Sequence, residues 1–311
     1  FLLLRRRRPA HPMSRPLSLR MVLVMAVAPL MWAGNAVVGR LVHTLISPLT
    51  FNLIRWMLAA LVLGALAGWV LRRDSGLWTH WRRFALLGLL GMGCYDSLQY
   101  LALQTASPIN VTLVASSSPL WMMAVGALFF RARVSRVQLL GAVFSIAGVG
   151  VVLARGDWAQ LMALRLVPGD LYVLLATALW AVYSWLLVRP DEPAAIRQDW
   201  AGFVLGQVVF GVGWSALFAG AEWALADAHV DLGWPLLAAL VFVAVGPSVL
   251  AYRCWNIGIR HAGPALAGFF SNLTPLFAAL IWALLTGEPP QAYHAIAFLL
   301  IAGGIAVSSR H

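Results

Sequence analysis

The chain has 311 residues, of which 61% are hydrophobic and only 11% charged, against roughly a quarter charged in soluble proteins. All 22 basic residues are arginine, and the formal net charge is +11 with a pI near 11.1. The arginines flank apolar runs instead of clustering on one soluble face, which excludes nucleic acid as a partner; the runs mark a polytopic protein whose solvent is the lipid bilayer.

The chain opens at Phe1, followed by Arg5 to Arg8, and a more ordinary start lies at Met13. Residues 1–12 are read as a disordered extension or remnant and set aside from the fold. The basic stretch and first apolar run resemble a signal peptide, but the run continues to about Leu41, long enough to span. Ten spans are expected: 20–41, 48–71, 82–103, 108–130, 134–153, 169–188, 200–219, 235–259, 264–286 and 291–308. Breakers separate most of them: Pro48, Pro108, Pro168-Gly169, Pro190 and Pro193, Pro235, Gly263-Pro264 and Pro289-Pro290. Cys94 and Cys254 lie inside apolar runs and read as free buried thiols.

Orientation follows from the arginines. With the N-terminus in the cytoplasm, Arg15, Arg20, Arg72, Arg73, Arg82, Arg83, Arg131, Arg133, Arg136, Arg189, Arg197, Arg260 and Arg310 fall inside. The far side receives only Arg40, Arg155 and Arg165, with the acids Asp157, Glu222, Asp227, Asp231 and Glu288. Both termini are therefore expected in the cytoplasm.

The stretch Ala106 to Val151 occurs twice. Pro264 stands 156 residues after Pro108, and in that register Pro119 meets Pro275, Leu120 meets Leu276, and Gly148 meets Gly304. Apolar composition alone yields some matches, but two prolines and a glycine in one register point to duplication. Trp32-Ala33 against Trp180-Ala181 extends the unit weakly to five spans. An odd number of spans leaves the second copy upside down. The expected fold is all-α, ten transmembrane helices as two inverted five-helix repeats, 13–155 and 169–311, joined by a linker at 156–168. Inverted repeats characterise secondary transporters, with the site near mid-depth between the halves.

Pro119 and Pro275 sit near the middle of spans 4 and 9 and should kink them, freeing carbonyls at Ala115 and Ser271. Ser116, Ser117, Ser118, Asn272 and Thr274 surround the kinks. They suit a hydrated cavity wall or close helix packing, and Asn272 favours the cavity. Asp96 is the one acid deep inside a span, where a carboxylate costs about 3 kcal/mol by insertion scales. It suits proton relay, contact with a substrate amine, or pairing with an arginine. Arg55 in span 2 reads as a helix-locking residue, and Arg253 as one that snorkels. Trp32, Tyr95, Tyr100, Trp121, Trp180, Tyr183, Tyr252 and Trp255 recur at middle depth, away from the interfacial belt. Core packing accounts for any one of them; as a set they suit a cavity that stacks flat rings. No catalytic motif, metal-spaced pair or phosphate loop is found, so no enzyme, cofactor or metal is expected.

Span 1 reads PLMWAGNAVVGR, span 2 NLIRWMLAAL, spans 3 to 4 YLALQTASPINVTLVASSSPLW, and spans 8 to 9 IGIRHAGPALAGFFSNLTPLFAALIWALLTGE. With GDLYVLLATALWAVYSWLLVR opening span 6, the set resembles the drug/metabolite transporter superfamily, in its two-domain EamA branch. That family often has Gly-Glu at the end of spans 4 and 9; Glu288 keeps it, while the first copy has Arg131-Ala132. The resemblance implies a multi-pass carrier in the bacterial inner membrane that exports or exchanges small metabolites. Aromatic amino acid exporters belong to the group, and the mid-depth rings point the same way. The expected substrate-binding residues are Trp32, Asn35, Tyr95, Asp96, Tyr100, Trp121, Trp180, Tyr183, Tyr252, Trp255 and Asn272. Alternatives are a carrier of sugar phosphates, nucleotide-sugars or organic cations, and more distantly an intramembrane lipid-modifying enzyme. A monomer or homodimer is expected.

Overall fold

The computed structural model describes residues 17–102, 105–106, 108–155, 157–163, 165, 167–287, 289 and 291–309. The expected extension at 1–12 and Glu288 lie outside the described residues. The described residues form helices and no strand beyond an isolated bridge between Ile46 and Val230. Seven of these helices are long and apolar enough to cross a membrane, and two shorter apolar ones follow.

Helix α1 (Leu19–Val42) starts where the Ser18 hydroxyl accepts from the Met21 amide. Helix α2 (Pro48–Ala67) begins on proline, and the Glu222 carboxylate accepts from the Leu49 and Thr50 amides at 2.9 and 2.8 Å. A long-range carboxylate thus replaces a local cap at the positive end of the helix dipole. Span 3 consists of α3 (Trp81–Gly88), a π-helical segment (Leu89–Cys94) and α4 (Tyr95–Ala102). Span 4 divides into α5 (Pro108–Ala115) and α6 (Ser118–Phe130), and α7 (Arg136–Ala154) follows.

In the second half, α8 (Trp158–Met162) precedes α9 (Pro168–Val188), and α10 (Ala194–Gln198) precedes α11 (Trp200–Leu225). Helix α12 (Trp234–Val243) runs through a second π-helical segment (Ala244–Leu250) into α13 (Ala251–Ser271). Gly263 breaks α13 at φ 81°, where the sequence pattern put the boundary between spans 8 and 9. Then come α14 (Leu273–Thr286) and α15 (Ala292–Ser308).

The broken helices occupy one register. The interruption at Ser116-Ser117 stands 156 residues before that at Asn272. Pro119 and Pro275 each follow by three residues, so the chain restarts a helix around a residue lacking an amide donor. In the first copy the hydroxyls of Ser116 and Ser117 donate to the Leu113 and Val114 carbonyls at 2.6 Å. Both carbonyls also accept a backbone amide, from Ser116 and Ser117 at 3.2 and 3.1 Å, so the hydroxyls satisfy their own polarity inside hydrocarbon by bonding back to the preceding turn.

The packing pairs equivalent elements. Helix α1 lies against α13 and α14, and α9 against α4 and α6. Helix α2 packs on α11, and α7 on α15. The last pair meets with Gly141 and Ser145 facing Gly304 and Ser308, and with Gly148 against Ala297 and Ile301. A Cβ on Gly304 would stand 2.6 Å from the Gly141 carbonyl oxygen. Small residues at four-residue spacing let these backbones touch, as membrane helices require where lipid removes the hydrophobic drive.

Candidate functional site

Rings from both copies of the repeat meet at mid-span. Trp32 on α1 lies 5.3 Å from Trp180 on α9, edge-on at 86°, and 5.2 Å from Trp255 on α13. Tyr95 on α4 stacks on Trp180 at 4.5 Å and 33°. Tyr183 and Tyr252 complete the group at 4.9 and 5.7 Å from Trp180. Trp180, Tyr183, Tyr252 and Trp255 are buried, whereas Trp32 and Tyr95 are half-buried. Three of the buried polar tips have partners. Tyr183 donates to Gln207 Oε1 at 2.8 Å, Trp255 Nε1 to Ser184 Oγ at 3.2 Å, and the Tyr252 hydroxyl to the Gly91 carbonyl.

Beside the rings sits an ion pair. Arg55 Nη1 on α2 lies 3.5 Å from Asp96 Oδ1 on α4. The same guanidinium donates from Nε to Ser248 Oγ at 3.0 Å and from Nη1 to the Tyr100 hydroxyl at 2.9 Å. Tyr100 in turn donates to Asn35 Oδ1 at 3.4 Å. Arg55 is 1% exposed and its charge is met by this carboxylate and these hydroxyls. Asp96 Oδ2 is buried outside full hydrogen-bond geometry, with the Trp56 indole N–H, also buried and otherwise unpaired, as the donor beside the carboxylate.

Of the expected site residues, Trp32, Tyr95, Trp180, Tyr183, Tyr252 and Trp255 form the ring cluster, and Asn35, Asp96 and Tyr100 gather on Arg55. Trp121 is half-buried on α6 against the main core. Asn272 lies elsewhere in contact, buried, with its amide donating to Ser145 Oγ of α7 at 2.9 Å. Sequence reading omitted Ser248, Asn52 and Gln207, which hold the centre. Gln207 and Asn52 carried a signal, since uncharged polar groups inside a span also need partners; Ser248 carried none. His294 is buried at the start of α15, where Nδ1 accepts from the Gln291 amide at 3.0 Å.

The arginine-rich end is tied separately. Arg83 reaches Glu192 at 3.5 Å and Asp191 at 4.0 Å, and it donates to the Arg189 carbonyl at 3.0 Å. Arg197 pairs with Glu192. Arg260 donates to the Arg197 carbonyl at 2.8 Å. Arg253 lies over the Trp200 ring at 4.3 Å, as a snorkelling arginine does.

Helical spans packed as paired repeats around a polar, ring-lined centre define a membrane transporter by class. The chain belongs to the EamA-like transporter family, whose profile matches residues 19–154 and 167–310. An uncharacterized transporter of Bacillus subtilis (strain 168), YyaM, is 26% identical over 229 residues, 73% of this chain and 72% of that one. The aromatic amino acid exporter YddG of Ancylobacter novellus is 28% identical over 241 residues, 77% and 78% of the two chains. A solved crystal structure superposes with a TM-score of 0.71 at 25% identity, covering 93% of this chain and 96% of its own.

Proposed function

We propose that this transporter exports or exchanges amino acids with aromatic or apolar side chains by alternating access. Its ten spans form two inverted five-helix repeats, 13–155 and 169–311, with the linker at 156–168 and both termini on the cytoplasmic face of a bacterial inner membrane. Trp32, Tyr95, Trp180, Tyr183, Tyr252 and Trp255 receive the side chain, with Trp121 and Asn272 on the flanking broken helices. Asn35, Asp96 and Tyr100 receive polar groups. Halves rocking about this seam expose it to either side in turn.

The observation that carries the reading is the ring cluster drawn from α1, α4, α9 and α13, two helices of each copy. A flat ring inserted among Trp and Tyr gains offset or edge-on contacts of about 0.5–1.5 kcal/mol each. The aromatic amino acid exporter among the relatives supports the same substrate class. Sugar phosphates are less well served, because Arg55 is already faced by Asp96 and Arg253 is an exposed arginine against Trp200.

The test is counterflow. Proteoliposomes preloaded with unlabelled tryptophan should take up labelled tryptophan faster than empty liposomes. A panel of phenylalanine, leucine, an organic cation and a phosphorylated sugar ranks the alternatives. Uptake at the protein-free rate for every solute would remove the carrier reading.

A further inference from the structure

Asp96 and Arg55 are the one acid–base pair set among the mid-span rings of the described residues; the other ion pairs join Arg83, Asp191, Glu192 and Arg197 at the arginine-rich end. The central pair is loose. Charge-assisted hydrogen bonds close to about 2.7–2.9 Å and are often bidentate for arginine, whereas this contact is a single one at 3.5 Å. The guanidinium spends its Nε and Nη1 donors on Ser248 and Tyr100 instead. Asp96 Oδ2 is buried and meets no donor in full hydrogen-bond geometry; the donor beside the carboxylate is the Trp56 indole N–H, which is also buried and has no other partner. The Asp96 side chain is 12% exposed against 1% for Arg55, so the acid is the more reachable member. Asn35 and Tyr95, both half-buried, adjoin the same spot, and Tyr95 leads into the ring cluster.

Charge decides what this spot can take. The pair is neutral as it stands, in surroundings where net charge is costly. A lone cation beside Asp96 also meets Arg55, and a lone anion beside Arg55 meets Asp96. Only a solute carrying both signs on adjacent atoms lays its dipole against the pair without adding net charge. We propose that Arg55 and Asp96 together read the carboxylate and ammonium of an α-amino acid zwitterion, while the neighbouring rings take its side chain. This rests on the carrier reading above and sharpens it, because amines and acids with the same ring are then rejected. Arg55 becomes a specificity-determining residue.

The experiment uses the full-length purified protein and ligands sharing one ring: tryptophan, tryptamine without the carboxylate, and indole-3-propionate without the amine. Phenylalanine, leucine and threonine extend the zwitterion set. Calorimetric binding should favour the best zwitterion over each singly charged analogue by about tenfold or more, the cost of leaving one buried charge unpaired. Asp96→Asn should narrow the gap to indole-3-propionate, and Arg55→Gln the gap to tryptamine. Because single variants strand a buried charge and can misfold, the neutral pair Arg55→Gln/Asp96→Asn is made as well. A monodisperse double variant should lose the preference for the zwitterion. A purely structural pair predicts the reverse: selectivity among the analogues unchanged, with all ligands weakened alike or not at all. That result, equal binding of tryptamine and tryptophan, or binding of no zwitterion overturns the proposal. Counterflow separates the two levels. Exchange of tryptamine as fast as tryptophan leaves the carrier standing without the zwitterion rule, and exchange of no solute removes the carrier itself.

Discussion

In the first copy of the repeat the backbone widens over Leu89–Cys94; in the second it widens over Ala244–Leu250, which ends 156 residues further on. The shape is shared and the causes differ. Gly91 in the first segment lets the Tyr183 ring approach to 2.8 Å from where a Cβ would stand. The Met92 carbonyl is met by Asn52 Nδ2 at 3.0 Å. Its equivalent segment carries Pro247, which cannot donate to Val243 four residues back. The Ser248 hydroxyl takes that carbonyl at 2.9 Å. Helix interiors with π geometry concentrate at functional positions; here the second segment holds Arg55 through Ser248, and the first ends two residues before Asp96, the partner of Arg55 on α4. Duplication kept the backbone path and let the residues that hold it diverge.

The most damaging way to break this symmetry is Gly91→Val. Tyr183 is fully buried, anchored to Gln207 and stacked on Trp180, so its ring has nowhere to retreat. Overpacking of this kind costs about 1–3 kcal/mol and more where neighbours are fixed. Thermal unfolding of the purified variant should show a strongly lowered midpoint. An unchanged midpoint would mean the ring does not shape the first segment. Next in size is Asn52→Leu, which removes donors to Met92 O, Ser97 Oγ and Ser215 Oγ. Membrane hydrogen bonds average about 0.6 kcal/mol each, so a loss of about 1–2 kcal/mol is expected. Ser248→Ala, which removes the hydroxyl bond to the Val243 carbonyl and strands Arg55 Nε, should cost a similar amount if the two segments are held by equivalent means. A much smaller loss would show the second segment held by Pro247 alone.

Much of this molecule was legible in the residues. The apolar runs and their breakers marked the helices, and Pro119 and Pro275 announced the two interruptions, because proline removes a donor wherever it falls. The mid-depth rings and Asp96 stood out because such groups are costly in hydrocarbon. The π segments did not stand out. No residue type specifies an extra residue in a turn, and glycine at one copy answers proline at the other. Nor was the partner of Asp96 legible. Arg55 lies 41 residues earlier, and only the packing of α2 against α4 brings the two charges together.

The ends of α6 and α14 offer a gentler comparison. Arg131 closes α6 at φ 55°, and Gly287, in the same register, closes α14 at φ 74°. The left-handed region costs a residue with a Cβ about 1 kcal/mol or more, and glycine nothing. Arg131→Gly should therefore raise stability by about 1 kcal/mol, and Gly287→Arg should lower it by a similar amount. Opposite shifts in the unfolding midpoints check this; shifts of the same sign would mean the caps are not equivalent.

The smallest effect sits where the copies touch. Tyr252 stands 156 residues after Asp96 and donates its hydroxyl to the Gly91 carbonyl of the other copy. Tyr252→Phe removes that bond and keeps the ring against Trp56 at 5.1 Å and Trp180 at 5.7 Å. A loss of about 0.6 kcal/mol follows from the membrane average, too little to threaten the fold. Its consequence is local. With the carbonyl of Gly91 released, amide hydrogen exchange should quicken over residues 92–96, while residues 244–250, held by Pro247 and Ser248, keep their rates. Equal quickening in both segments would mean that the bond holds the two copies together as a unit, and that the first segment has no separate dependence on it.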